Sequence, residues 1–171
     1  MFLAIKYLLI FFCLFYSIFA AALPDDREKT LHIVADSYQF NYKTGLDIYE
    51  GHVKVDQGTT HLTADRLITQ KNQQHKVIYA IAYGFQQLAE YITIPKPGDL
   101  ELHAKAKMIK YYPSTSIIIL DKNVAVNQGQ NSFQGAHIIY NMNAQTVTAP
   151  ASKSGRATII IEPSQLKNDK S

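Results

Sequence analysis

Six histidines, His32, His52, His61, His75, His103 and His137, are the residues of this chain best suited to metal ligation or proton transfer, yet none has a partner at ligand spacing. His32 and His103 occupy the same place in an internal repeat, which marks a strand position and not a ligand. The carboxylates Asp36, Asp47, Asp56 and Asp65 occur singly, at strand ends or turns, where a solvated side chain or a turn former is expected. No serine sits in an elbow motif with spaced His and Asp partners, and the glycines are isolated turn residues that form no phosphate loop. The single cysteine, Cys13, lies in an apolar leading run and serves there as filler. These patterns give no basis for a catalytic centre, and no metal or cofactor is expected. Eleven tyrosines and eight phenylalanines without tryptophan could stack on bases or sugars. Many of the phenylalanines fall in the leading run, however, and the tyrosines follow strand patterns, so packing is the expected use. A net charge of +3 with scattered basic residues argues against a nucleic-acid partner.

The first 22 residues differ from the rest of the 171-residue chain. Lys6 precedes an apolar run from Tyr7 to Phe19, followed by Ala20-Ala21-Ala22 and the polar stretch Pro24-Asp25-Asp26-Arg27-Glu28-Lys29. A short basic region, an apolar core and a small-residue site predict a secretory signal peptide over 1–22, cleaved after Ala20 or Ala22. Even counted to Leu23, the run reaches only the lower limit for spanning a bilayer. Cleavage removes Lys6, lowers the charge to +2 and leaves a chain without cysteine. Such an exported protein is held by its core and its ladder hydrogen bonds, with no disulfide. The remainder divides into a flexible segment 23–29, a domain over 30–163 and a tail over 164–171.

The elements that position these residues repeat. A gapless shift of 71 residues lays Leu31-His32 on Leu102-His103 and Ala35 on Ala106. It also lays Val53-Lys54-Val55-Asp56-Gln57-Gly58 on Val124-Ala125-Val126-Asn127-Gln128-Gly129, and Gly84 on Gly155. Runs such as 46–55 and 117–126 are rich in β-branched and aromatic residues with period-two alternation. Turn signals punctuate them at Lys43-Thr44-Gly45, Gln57-Gly58, Lys71-Asn72, Pro95-Lys96-Pro97-Gly98, Gln128-Gly129 and Asn141-Met142-Asn143. No window carries a helical stripe beyond a single short turn near either end. The pattern predicts an all-β fold, an open, twisted antiparallel β-jelly roll or β-solenoid of V-shaped layers built from two repeats.

An open stack ends in strand edges with unpaired backbone groups. The first strand, 30–35, and the last, 156–162, are apolar and carry few blunting charges. Either a flexible tail covers each edge, or a partner adds a strand there, including head-to-tail self-assembly through Leu31, Ile33 and Ala35 at one end and Ala157, Ile159 and Ile161 at the other.

Several stretches resemble the periplasmic lipopolysaccharide-transport protein A family, also called OstA-like. They are Leu31-His32-Ile33, Tyr49-Glu50-Gly51-His52-Val53-Lys54-Val55-Asp56-Gln57-Gly58, Leu62-Thr63-Ala64-Asp65-Arg66-Leu67, and the ending from Val147-Thr148-Ala149 to Pro163-Ser164-Gln165-Leu166. The resemblance spans 30–166. The second repeat departs from the family pattern where Gly-Asn-Val becomes Lys122-Asn123-Val124 and Ala-Asp becomes Gly135-Ala136.

The resemblance implies a jelly roll open at both ends with an apolar groove, in which Leu31, Ile33, Tyr91 and Tyr111 match groove-lining positions. It also implies a periplasmic bridge, joined head to tail, between an inner-membrane-anchored OstA-like partner and an outer-membrane translocon. Lipopolysaccharide would move along the groove with its acyl chains inside. Each methylene removed from water contributes about 0.8 kcal/mol, so one long chain represents on the order of 10 kcal/mol. A groove that shields the chains only partly lets such cargo slide. Two alternatives remain: an inner-membrane member of the same system that keeps 1–22 as an anchor, and a structural envelope protein that binds only proteins. An outer-membrane assembly subunit fits less well, because the chain is too short for a barrel with its own periplasmic domain.

Overall fold

The structure, a computed structural model, describes residues 26–144, 146–151 and 156–161. The expected signal peptide at 1–22, Gly155 and the ending at 162–171 lie outside the described residues. Among the described residues, apart from a 3-10 turn at Asp26–Glu28, every element is a strand: β1 His32–Val34, β2 Ser37–Asn41, β3 Leu46–Gln57, β4 Thr60–Lys71, β5 Val77–Tyr83, β6 Ala89–Thr93, β7 Leu102–Ala106, β8 Met108–Tyr112, β9 Ile117–Gln128, β10 Asn131–Asn141, β11 Thr146–Thr148 and β12 Thr158–Ile160. All pairings are antiparallel. The 71-residue shift carries β2 onto β8 and β3 onto β9 residue for residue, and β4 onto β10 to within one residue.

The long strands β3, β4, β9 and β10 change partners halfway along, and this makes the V. Residues 46–50 of β3 pair with β2, whereas 54–56 pair with β1. Residues 66–71 of β4 pair with β5, whereas 61–63 pair with β6. In the second repeat β8 and β7 divide β9 in the same way, and β11 and β12 divide β10. Two walls result. Wall one runs β2-β3-β4-β5-β8-β9-β10-β11, and wall two runs β1-β3-β4-β6-β7-β9-β10-β12.

A bulge sits at each fold of the V. Glu50 faces Arg66 and Val53 faces Ala64, so Gly51 and His52 together oppose Asp65. Both take left-handed backbone, φ 78° and 43°. The second repeat repeats this at Lys122 and Asn123, with φ 63° and 56°. At the same height the chain crosses between walls, and the Asp36 and Lys107 N–H groups donate to the Gly51 and Lys122 carbonyls at 3.0 and 2.8 Å. Where the walls converge there is room only for small side chains. Val53 faces Ala64, Ala89 faces Ala106 and Val124 faces Gly135, with Ala89 and Ala106 fully buried.

β1 and β2 form one edge of the stack, β11 and β12 the other. The terminal strands are shorter than the sequence predicts. The first stops at Val34 because Asp36 already bonds across the fold of the V. In the last, pairing with β10 runs only from Thr158 to Ile160. Ahead of β1, the Asp26 carboxylate accepts bonds from the Thr59 N–H at 3.0 Å, the Thr59 hydroxyl at 2.6 Å and the Thr60 hydroxyl at 3.0 Å. These pin the 3-10 turn onto the β3–β4 turn. Burial alone would raise the Asp26 pKa, but these bonds outweigh it and hold the carboxyl below its ordinary value.

Candidate functional site

The space between the walls is the candidate site. Along wall two, direct cross-strand partners form an unbroken apolar lane: Ile33 to Val55, Val55 to Leu62, Leu62 to Tyr91, Tyr91 to Ala104, Ala104 to Val126, Val126 to Phe133 and Phe133 to Ile159. Residues paired directly across strands share a face, so period-two alternation in the sequence becomes one continuous surface here. Burial raises the Tyr91 pKa, and the phenol stays neutral inside the lane.

The matching lane on wall one changes character along its length. Phe40 faces Asp47, Asp47 faces Thr69, Thr69 faces Ala80 and Ala80 faces Tyr111. The lane continues through Ile118, Tyr140 and Val147. Its first-repeat portion is polar. Asp47 is fully buried, accepts bonds from the Tyr38 hydroxyl at 2.7 Å and the Thr69 hydroxyl at 2.9 Å, and pairs with the Lys71 ammonium at 2.9 Å. Desolvation pushes the Asp47 carboxyl up, yet bonds from Lys71, Tyr38 and Thr69 overcome it and hold the pKa below its ordinary value. The bond to Asp47 correspondingly drives the Tyr38 phenol well above its ordinary pKa. The sequence predicts a solvated strand-end carboxylate at Asp47, and its burial corrects that expectation. The overlooked signal was phase: Asp47 occupies an inward position of β3, and its repeat counterpart is Ile118.

From the end of the first repeat through the second, the walls flank an open cavity of about 370 Å³. Wall two contributes Tyr91, Leu102, Ala104, Val126 and Phe133, and wall one contributes Ile118, Leu120, Ile138, Tyr140 and Val147. Residues from both walls facing one space show that the two lanes look at each other. Polar groups, Lys96, Asp99, Gln128 and Asn131, stand among the lining, and burial followed by the Asp99 charge raises the Tyr140 pKa.

Of the residues singled out from the sequence, Tyr91 lines this cavity, while Ile33 and Tyr111 pack against the core in the same lanes. Leu31 lies just before β1 and is 50% exposed. Ala35 packs against the core after β1. Ala157, Ile159 and Ile161 are exposed around β12 at the far edge. Ile118, Tyr140 and Val147 were not singled out, although their inward phase in β9, β10 and β11 is the signal that finds them.

A second concavity, about 360 Å³, lies at the first bulge and is lined by charge. Its charged groups pair among themselves, although the buried Arg66 Nε makes no hydrogen bond among the described residues. His52 Nδ1 lies 2.7 Å from Asp36, Arg66 lies 3.1 Å from Glu50, and Asp65 accepts the Phe85 and Gln86 N–H groups at 2.5 and 2.7 Å. These bonds lower the Asp65 pKa. They brace the bend. Among the described residues no group of three or more His, Cys, Asp or Glu side chains is placed to hold a metal.

Residues 32–146 match the family described as LptA/(LptD N-terminal domain) LPS transport protein. The chain is 32% identical over 139 residues to lipopolysaccharide export system protein LptH of Pseudomonas aeruginosa, covering 81% of this chain and 75% of that one. It is 26% identical over 158 residues to lipopolysaccharide export system protein LptA of Escherichia coli K12, covering 90% and 83%. The crystal structure of LptH, titled the LptA-homologous periplasmic component of the lipopolysaccharide transport device of Pseudomonas aeruginosa, superimposes with a TM-score of 0.73. That alignment has 27% identity and covers 82% of this chain and all of that one.

Proposed function

The chain belongs to the LptA/(LptD N-terminal domain) LPS transport protein family, and from that membership we propose that it is a periplasmic bridge protein that carries lipopolysaccharide from the inner to the outer membrane without catalysis. The observation that carries this reading is the pair of facing lanes, lined by large apolar side chains on a scaffold open at both ends. Acyl chains fit the space between the walls, while the phosphates and sugars remain in water beyond the rim, where Lys96, Asp99, Gln128 and Asn131 stand. Leu31, Ile33, Tyr91 and Tyr111 belong to this lipid path.

Assembly uses the edges. Leu31, Ile33 and Ala35 around β1, and Ala157, Ile159 and Ile161 around β12, add strands of a neighbouring copy, of an inner-membrane-anchored partner with the same fold, or of an outer-membrane translocon. The exposure of Leu31, Val34, Ile159, Ile160 and Ile161 supports docking there. Residues 1–22 act as the export signal and are removed.

A benzophenone side chain at Tyr91, compared with one at the outward-facing, exposed Lys54, tests the lipid path in living cells. An adduct with lipopolysaccharide at Tyr91 and none at Lys54 is expected. A folded protein that gives no adduct at Tyr91 defeats the proposal and leaves a scaffold that binds only proteins.

A further inference from the structure

The two repeats build the same lane of wall one from different chemistry. Phe40, Asp47 and Thr69 stand in the first repeat where Tyr111, Ile118 and Tyr140 stand in the second. Tyr38 and Lys71 correspond to Ile109 and Met142. The Lys71 ammonium is not spare charge, since it sits 2.9 Å from Asp47 and 5.3 Å from the centre of the Phe40 ring. The Tyr38 and Tyr49 rings, with centroids 4.8 Å apart, pack beside the pair. Every residue lining the cavity lies between Tyr91 and Val147, and none comes from this polar stretch. Wall two shows no such interruption, because Ile33, Val55 and Leu62 continue its lane to the β1 edge.

We propose that the Asp47–Lys71 pair, with Tyr38 and Thr69, is a polar break in one wall of the lipid groove, so that acyl chains are held by both walls in the second repeat and by wall two alone in the first. This rests on the lipid-bridge reading and specifies where along the groove the cargo is held. An acyl chain laid over the pair gains little apolar burial and strips water from the exposed side of Lys71, whereas over Ile118 and the ring of Tyr140 it meets a largely apolar surface with no buried ion pair. Asp47 cannot turn outward to relieve this, because three donors fix it. The groove therefore grips in one half and yields in the other, an asymmetry suited to a carrier that must pass its cargo along.

Phe40 and Tyr111 are equivalent positions in the two repeats and face the same lane, so they test the break in the intact protein. A benzophenone side chain replacing either residue, in cells making lipopolysaccharide, should label the lipid at Tyr111 and about tenfold less at Phe40. Combining the Phe40 probe with Asp47→Ile and Lys71→Met, the second repeat's own residues, should raise labelling toward that at Tyr111. Equal labelling of the two positions in the native sequence overturns the break while leaving the lipid groove standing. Unchanged labelling at Phe40 in the Asp47→Ile/Lys71→Met background also overturns it, because the pair is then not what keeps the chains away. Labelling at neither position overturns the lipid-bridge reading itself.

Discussion

Where the first repeat buries Asp47 among Tyr38, Thr69 and Lys71, the second places Ile118, Ile109, Tyr140 and Met142 at the equivalent positions. The backbone around them barely differs. β3 and β9 have the same length and carry left-handed bulges at the same two positions, and each splits its pairing between two walls at the same point. Strand register and bend thus depend on turns, bulges and the small residues at the convergence of the walls, while the inward lane is free to carry a different chemistry in each copy. The two solutions have different energetics. The apolar one gains from every atom buried. The ionic one must recover the desolvation of a carboxylate through an ammonium and two hydroxyls.

The comparison breaks most sharply at Lys71. Lys71→Met alone leaves the fully buried Asp47 without its cation and should cost about 3–5 kcal/mol. Adding Asp47→Ile completes the second repeat's solution and should recover most of that loss, leaving the double variant near the parent's stability. Urea unfolding followed by circular dichroism checks both. A Lys71→Met variant as stable as the parent would mean that Asp47 is not held ionised by Lys71.

Next come the apolar positions the repeats share. Leu67 and Ile138 are equivalent, and both are almost completely buried. Truncation of either to alanine should cost about 2–5 kcal/mol, in the same range for both, because each opens a cavity in the same lattice of side chains. A large inequality in unfolding midpoints would show that the repeats do not share one cooperative core.

Acid separates them further. The folded-state pKa of Asp47 is depressed, so its contribution is fully present above the unfolded carboxylate value of about 4 and is lost as pH falls through the folded value. The Asp47→Ile/Lys71→Met variant lacks this group. It should therefore lose less stability than the parent as pH falls below about 4, read as a smaller drop in urea midpoint.

Much of this architecture was legible in the residues. The shared spacing of Val53 to Gly58 and Val124 to Gly129 fixed the repeat, and the alternation through 46–55 and 117–126 identified the long strands. The division of each long strand between two walls was not legible, because the bulge is Gly51-His52 in one copy and Lys122-Asn123 in the other, and nothing local marks Lys122 as left-handed. The burial of Asp47 is hidden in the sequence for a related reason. A charged residue in the inward phase is conventionally assigned to solvent, and only the pairing of β3 with β4 and with β2 brings Lys71, Thr69 and Tyr38 to it. For Ile118, Tyr140 and Val147 the phase of the strands marks an inward position, but only the facing of the two walls separates a lining position from an ordinary core position.

The smallest effect concerns the bulge itself. Lys122 holds φ 63° where the first repeat has Gly51 at φ 78°. A left-handed conformation costs a residue with a Cβ about 1–2 kcal/mol, whereas glycine adopts it freely but loses about 0.5–1 kcal/mol more chain entropy on folding. Lys122→Gly should therefore stabilise the protein by about 0.5 kcal/mol, the difference between those terms. The reciprocal change is not its mirror image. A Cβ at Gly51 would run into the Asp36 carboxylate, which bonds His52, whereas Lys107 occupies the position of Asp36 in the second repeat. Gly51→Ala should accordingly destabilise by about 0.5 kcal/mol from the backbone alone, and by more because the added Cβ must displace the Asp36 carboxylate. Opposite signs in matched urea unfolding curves are expected. A destabilising Lys122→Gly would mean that the Lys122 side chain contributes more to the second bend than its strained backbone costs.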